Sequence, residues 1–356
     1  MSGTHRILAL NYSQTGQLQR ILDSICAPLC TNSSIEIVRV NIRPARPYPF
    51  PWPILPFFDV FPETVGEVAV PFTLDWPDGA PECEADFDLV LLAYQPWFLS
   101  VAQPMMSFLK SRDAQRLLAG RRVITIIGCR NMWLMAQERM KVHLSRLDAH
   151  LIDNIVLTDS AHSMLTFFST PLWMLTGRKG PWLGGQIPEA GISDTDIKDA
   201  SRFGHAIESG LEKRTPDDLH PMLDGTGAIT INERLIDSEK FGKRSFILWG
   251  ALLRFLGRPG SFFRRSVLLF YILFLITIIV TLVPLFALLK LATRPFFRKR
   301  AASQRAYYAA PTGEGRERID AFGLVSETDG QALAPAASGQ DHPCAQPDRD
   351  QQGNTI

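Results

Sequence analysis

From residue 6 to residue 157, short apolar runs alternate with amphipathic stretches, and no other feature of the chain restricts its fold as much. Residues 6–12 (RILALNY) read as a strand. Residues 16–26 (GQLQRILDSIC) carry Leu18, Ile21, Leu22 and Ile25 at helical spacing. Residues 35–42 (IEIVRVNI) alternate with period two. Residues 88–94 (DLVLLAY) and 122–128 (RVITIIG) are nearly all apolar, the pattern of strands covered on both faces. Helices are expected at 101–118 and 133–147, with a fifth strand at 151–157 (LIDNIVL). A helix at about 194–211, acidic in its first turn, completes the domain. Strand–helix alternation with short connections predicts a parallel sheet with helices on both faces. The expected fold is therefore α/β: a doubly wound, five-stranded parallel sheet over residues 5–215.

Two stretches interrupt this rhythm. Residues 44–81 form an insertion crowded with proline and aromatic residues (RPYPFPWPILPFFDVFP over 46–62). Proline has no backbone donor and a fixed φ, so a regular helix or a central strand is not expected there. Either an extended surface wrap or one wall of an apolar pocket suits this composition. Residues 158–192, which hold Trp173, Trp182 and Gly184, read as a long loop.

Charge is unevenly distributed. The chain has 37 Lys+Arg and 36 Asp+Glu, yet between residues 241 and 313 there are 12 Lys/Arg and no acidic residue. That basic region brackets residues 266–289 (SVLLFYILFLITIIVTLVPLFALL), which hold no charge. As a helix this run is roughly 36 Å long, enough for a hydrocarbon core of about 30 Å. It predicts a C-terminal transmembrane helix, preceded by a basic amphipathic juxtamembrane segment at 216–265. A single crossing is the expectation on length; the alternative is a shallow hairpin bent near Pro284, which would keep both basic flanks inside. Truncation after Glu239 is expected to release a soluble domain. The tail, 301–356, is polar and rich in Gly, Pro, Ala and Gln, a composition that predicts disorder. No zinc-finger, RNP or arginine-repeat pattern points to nucleic acid. Five cysteines with no C-x-x-C spacing predict no disulfide framework and a domain kept in the cytosol, at the inner face of the cytoplasmic membrane.

The sharpest local motif is Ser13-Gln14-Thr15-Gly16-Gln17-Leu18, between the first strand and the first helix. A phosphate at such a junction meets free backbone N–H groups and the positive end of the helix dipole. Ser13 and Thr15 can add hydroxyl donors, and Gly16 permits close approach. The same residues also suit a simple helix N-cap. With no lysine this is not a Walker loop. A second motif, Tyr94, Gln95, Pro96, Trp97 and Phe98, ends the third strand. A third, Cys129, Arg130, Asn131 and Met132, ends the fourth. Ligands of open α/β sheets bind beyond the carboxyl ends of the strands, so the three loops converge on one site. The histidines are scattered, and no metal site is expected.

SQTGQ, the strand DLVLLAY with its QPWF loop, and the PMMSFL helix resemble the flavodoxin-like FMN-binding superfamily over about residues 5–160. That resemblance implies FMN, with its phosphate in the first loop and the second and third loops flanking the isoalloxazine. Leu18 stands where such proteins commonly carry a hydroxyl residue. The PYPFPW, FFDVFPE, GRKGPWLGG and IPEAGISD segments are similar to bacterial proteins of the dialkylresorcinol condensing enzyme family. This implies a partner ketosynthase that makes the carbon–carbon bonds, and an aromatising role for the flavodoxin-like member.

The residues themselves do not support condensation, because Cys129 has no histidine near it in sequence. Redox chemistry suits them better. Aromatising a lipophilic cyclohexanedione removes a hydride and a proton, which calls for a hydride acceptor and a base. His162 and Asp159, just beyond the fifth strand, are the candidate bases. Two alternatives are a membrane-tethered electron carrier and a flavin-free scaffold for a partner enzyme.

Overall fold

In the computed structural model, residues 4–77, 86–159, 163–215, 217–293, 298–319 and 321 are described, without the side chains of 163–168, 279 and 282–301. The N-terminal strands and helices follow the apolar periodicity: β1 (His5–Asn11), α1 (Gln17–Thr31) and β2 (Ile35–Pro44). The proline-rich insertion holds two short helices, α2 (Ile54–Asp59) and α3 (Phe61–Val65), and the strand β3 (Phe72–Asp75). Then come β4 (Leu89–Tyr94), the small hairpin β5 (Pro96–Trp97) and β6 (Ser100–Val101), and the helices α4 (Gln103–Leu109) and α5 (Arg112–Leu118). The central layer continues with β7 (Arg122–Cys129), α6 (Leu134–Arg146) and β8 (His150–Thr158). Helices α7 (Ser163–Thr176), α8 (Asp194–Asp199) and α9 (Ser201–Lys213) follow, and α10 (Glu233–Phe255), α11 (Phe262–Thr293) and α12 (Arg298–Ala309) end the described chain.

The main sheet has six strands in the order β3-β2-β1-β4-β7-β8. The five expected strands are all parallel to one another, and their order is the flavodoxin-like one. The sixth corrects the expected strand count: β3 pairs antiparallel with β2, Arg43 opposite Thr73. The insertion thereby covers the edge that β2 would otherwise expose. Its helices also depart from expectation. Pro62 stands in the first turn of α3, where a missing N–H costs nothing.

Successive strand residues go to opposite faces, so each strand feeds two cores. Leu8, Leu10, Val90, Leu92 and Tyr94 pack on one face with Met105, Phe108 and Met140 of α4 and α6. Ile7, Ala9, Leu89, Leu91 and Ile124 pack on the other with Leu18, Ile21 and Ile25 of α1 and Phe203 and Ile207 of α9. Helices α1 and α9 approach closely at Gly204, where an added Cβ would lie 2.0 Å from the Ile25 carbonyl oxygen.

Four further expectations are corrected. The 101–118 helix breaks in two at Ser111, whose hydroxyl accepts from the Ala114 N–H and caps α5. The 158–192 loop contains the fourteen-residue helix α7. Much of the early tail is ordered: Tyr308, Ala309 and Ile319 are buried, and the Thr312 hydroxyl accepts from the Asn154 N–H of β8 at 2.7 Å. Residues 322–356 of the expected disordered tail lie outside the described residues. Cys26 and Cys129 are free thiols, but Cys30 is disulfide-bonded, so a bridge forms where the sequence predicts no disulfide framework.

The expected 266–289 span lies within α11, and its side chains from 282 onward are outside the described set. Among the described residues, no helix is long and apolar enough to cross a membrane.

Candidate functional site

Strands β1, β4 and β7 are hydrogen-bonded neighbours, with Asn11 beside Ala93 and Tyr94 beside Ile127. Their carboxyl ends therefore bring the loops carrying Ser13, Trp97 and Cys129 to one edge of the sheet. A fourth loop joins them, because β8 ends beside β7: the Asp159 N–H donates to the Cys129 carbonyl at 3.1 Å.

The first loop leaves the start of α1 open. Gly16 occupies the N-cap position at φ 79°, no side chain caps the helix, and its first turn holds no acid. The positive end of a fifteen-residue helix is thus unneutralised by its own chain. A Cβ added to Gly16 would meet nothing within 4 Å, so there is free space in front of the loop. Ser13 Oγ is buried and, among the described residues, has no hydrogen-bond partner. Trp52 Nε1, Ser169 Oγ and Thr170 Oγ1 are orphaned in the same way. The segments that carry them meet over this edge: the Trp52 backbone N–H donates to the Met174 carbonyl of α7 at 2.8 Å, and Phe50 packs edge-on against Trp173 of the same helix. Buried polar groups are normally paired, so such a group of orphans fits a ligand rich in hydroxyl and phosphate oxygens.

The other residues expected in the first loop divide. Gln14 donates to the Pro49 carbonyl at 3.1 Å, tying the loop to the insertion. Thr15 is half-buried in the loop. Gln17 uses its whole amide on the backbone of Ile192, donating at 3.1 Å and accepting at 3.2 Å, so it braces the 190s loop. The Leu18 side chain is buried in the core beneath α1 and offers the loop only its backbone.

In the second loop, the side chain of Tyr94 continues the buried face of β4, and its hydroxyl donates to Gln137 Oε1 at 2.7 Å. Phe98 turns away at φ 49° to pack on Phe57, Phe61 and Phe246. Gln95 and Pro96 stay half-buried at the edge. Trp97 joins a cluster with Tyr12, Tyr48 and Trp52, at centroid distances of 5.9, 5.0 and 5.9 Å. Burial pushes the Tyr48 phenol up to about 12 and raises Tyr12 further, so both remain hydrogen donors at neutral pH.

In the third loop, Cys129, Arg130, Asn131 and Met132 are all half-buried. Burial raises the Cys129 thiol, and Glu239 adds to it, the opposite of what a nucleophilic thiolate needs. Burial lowers the Arg130 guanidinium while nearby Asp159 opposes that shift. Asp159 is buried and accepts from the Gly191 N–H at 2.9 Å. His162 lies outside the described residues.

Sequence reasoning missed Glu239. This α10 residue is fully buried and accepts from the Met135 N–H at 2.8 Å, capping α6 directly behind the third loop. Its Oε2 is buried without a partner among the described residues, and burial pushes the carboxyl up to about 7 against the pull of the Met135 and Leu134 N–H groups and Lys243. Its one signal in the sequence is position, as the last acid before the acid-free stretch that runs to Glu314. Among the described residues, no cluster of His, Cys, Asp or Glu could hold a metal ion.

No protein-family model matches the chain. No curated protein matches it either. Among solved structures it is similar to a flavoprotein in complex with FMN from Lactobacillus acidophilus NCFM (11% identity, 43% of this chain, 93% of that one, TM-score 0.31). It is also similar to a putative flavoprotein from Bacteroides eggerthii DSM 20697 (15% identity, 43% and 87% covered, TM-score 0.31). A third is a flavodoxin from the domain Archaea (9% identity, 58% and 99% covered, TM-score 0.30). Likenesses at this level carry no weight of their own. The flavodoxin-like character of the α/β domain rests on its strand order and on the loops at its carboxyl edge.

Proposed function

We propose that this chain is a flavin-binding redox protein that holds FMN at the carboxyl edge of its sheet and works on a lipophilic molecule at a membrane surface. One observation carries the reading: the uncapped start of α1 stands beside the orphaned Ser13 hydroxyl. The free N–H groups at this helix start and the Ser13 and Thr15 hydroxyls would hold the phosphate. Ser169, Thr170 and Trp52 are donors toward the rest of the group. Trp97 and residues 129–132 would flank the ring. When bound, FMN supplies an acceptor for a hydride.

The finer reading is oxidation of a cyclohexanedione to a dialkylresorcinol, with a ketosynthase as the upstream partner. The substrate then gives up a hydride and a proton, and the proton needs a base at the same edge. Asp159 is the candidate within the described residues, and the Gly191 N–H bond holds it in place. His162 is the second candidate.

Membrane lipid is the other partner in this reading. Leu248, Phe255, Phe262 and Phe263, around the α10–α11 turn, are each more than two-thirds exposed. Together with the uncharged 266–289 run they suit an apolar phase better than water. The flavodoxin-like domain would then sit on the cytosolic side of the cytoplasmic membrane.

The visible absorbance spectrum of detergent-purified protein tests the cofactor. A flavin band, present as isolated or gained on adding FMN, is expected. A preparation that stays colourless with added FMN overturns the reading. Trp97→Ala is expected to shift that band or weaken FMN binding.

A further inference from the structure

Residues 44–71 of the insertion and the start of α11 line a cavity of about 600 Å³, well within the size range of small-molecule sites. Tyr48 lines it and also packs on Trp97 of the second loop, at a centroid distance of 5.0 Å. Leu55, Val60, Val70 and Leu268 supply apolar lining. The polar groups at its floor are already satisfied: the Tyr48 hydroxyl donates to Gln103 Oε1 at 2.8 Å, and the Gln103 amide donates to the Val68 carbonyl at 2.9 Å. A ligand in this cavity therefore meets mostly hydrocarbon.

The charges that line it are unequal in availability. Asp59 and Glu63 are spent on Arg264, which is fully buried and donates to Asp59 Oδ1 at 2.7 Å and to both Glu63 oxygens at 2.6 Å. Arg46 and Arg265 are exposed, and neither makes a salt bridge among the described residues. The cavity thus combines an apolar interior with two uncommitted guanidinium groups. Beside Arg265 in sequence stand Phe262 and Phe263, 78% and 72% exposed.

We propose that this cavity binds one alkyl chain of an amphiphile with an anionic head, the chain lying against Val60, Val70 and Leu268 and the head paired with Arg46 and Arg265. A carboxylate and a phosphate share the chemistry those guanidinium groups recognise. Arg264 offsets one of the two negative charges on Asp59 and Glu63 and holds both carboxylates turned toward itself, and the two positive charges of Arg46 and Arg265 outweigh the one that remains. The inference goes beyond the flavin reading and does not depend on it.

The test uses the full chain in nanodiscs of neutral lipid and a sixteen-carbon fatty acid carrying a diazirine on its chain. After irradiation, labelled peptides are mapped by mass spectrometry. Labelling within 44–71 and 259–268 that palmitate competes away is expected. Val60→Trp fills the cavity and should abolish it. The paired Arg46→Glu and Arg265→Glu substitutions lie on the surface and leave folding intact. They should weaken labelling by about tenfold, the equivalent of ~1.4 kcal/mol, while a diazirine alcohol of equal length labels as before. Competition by inorganic phosphate or acetate alone would show a head-group site without a chain site and overturn the proposal. So would labelling confined to 269–289, or labelling that both variants leave unchanged. The flavin band of the same preparations is read separately, so loss of one site is not mistaken for loss of the other.

Discussion

In the proposed anion site, Ser13 and Gly16 would divide the work between them. The Ser13 hydroxyl is buried without a partner, a state that costs the protein alone stability and that a ligand would relieve. Ser13→Ala is therefore expected to hold or raise the melting temperature of the flavin-free protein while weakening FMN binding by about tenfold, the worth of one charge-assisted hydrogen bond. A thermal melt of the flavin-free protein checks the first half, and titration of FMN followed by fluorescence checks the second. Gly16 at φ 79° needs the left-handed region. Gly16→Val should cost about 1–3 kcal/mol of stability and abolish flavin retention; Gly16→Asn, which tolerates that conformation, should restore the fold. Unchanged flavin content in the valine variant would dismiss the phosphate assignment.

Glu239 gives a pH signature. Its folded value of about 7 lies above the ordinary carboxyl value of about 4.3, so between these two pH values the native state binds the extra proton. Stability from this group is fully present below about pH 4 and is lost as pH rises through 7. Glu239→Gln removes the ionising group and can still accept from the Met135 N–H. The variant should melt higher than the parent at pH 8, with the gap closing toward pH 4. A gap independent of pH would mean that Glu239 does not hold its proton.

At the scale of elements, Arg264 joins the start of α11 to α2 and α3. Its guanidinium meets both acids, the Asp59 carbonyl at 2.5 Å and the Gly257 carbonyl at 3.3 Å, while Asp59 also accepts from the Gly260 N–H at 2.7 Å. Removing one partner of a buried ion pair leaves the others charged and uncompensated, at a cost of about 3–5 kcal/mol. Arg264→Met should lower the unfolding free energy by that amount, read from denaturant curves, and speed hydrogen exchange in 54–65 first. Equal exchange in the parent and the variant would show that the clamp is not what holds these helices. Helix α10 is bound to the domain as firmly: Lys243 donates to Ser100 Oγ at 2.5 Å, and Glu239 caps α6. A chain cut after Glu239, expected from the sequence to release a soluble domain, is split inside α10 and loses Tyr308, Ala309 and Thr312 from its core. Such a fragment is expected to aggregate rather than to remain soluble.

For the whole molecule, the two ends of the 266–289 run decide the topology. Before it, Arg264 is locked to the insertion. After it, the Tyr307 hydroxyl donates to Glu138 of α6 at 2.7 Å, Arg305 pairs with Glu233, and Thr312 packs on β8. Both flanks are tied to one body, so if this run enters a bilayer it must leave on the side from which it entered. A one-sided anchor would then replace the single crossing expected from length, and would keep both basic flanks on the side they prefer. Topology reporters fused at Met1 and at Ile356 should both be active in the cytosol, and carbonate washing should leave the protein on membranes. A reporter active outside at Ile356 would restore the single span.

What the sequence by itself determined is local: the strand and helix positions of the N-terminal domain, and the placement of Ser13 and Gly16 between the first strand and the first helix. Periodicity, turn residues and helix starts are set by neighbours a few positions away. What only the tertiary structure decided depends on partners distant in sequence. Tyr94 and Leu18 belong to the core because of the faces they share with α6 and α9, and Phe98 leaves the site for the aromatic residues of α3 and α10. β3 becomes a strand because β2 offers it an open edge. Residues 302–319 are polar enough to read as disorder, yet they order because β8 and α10 leave room for Tyr308 and Thr312. Such contacts are decided by the shape of the assembled sheet and leave no periodic trace in the segments that make them.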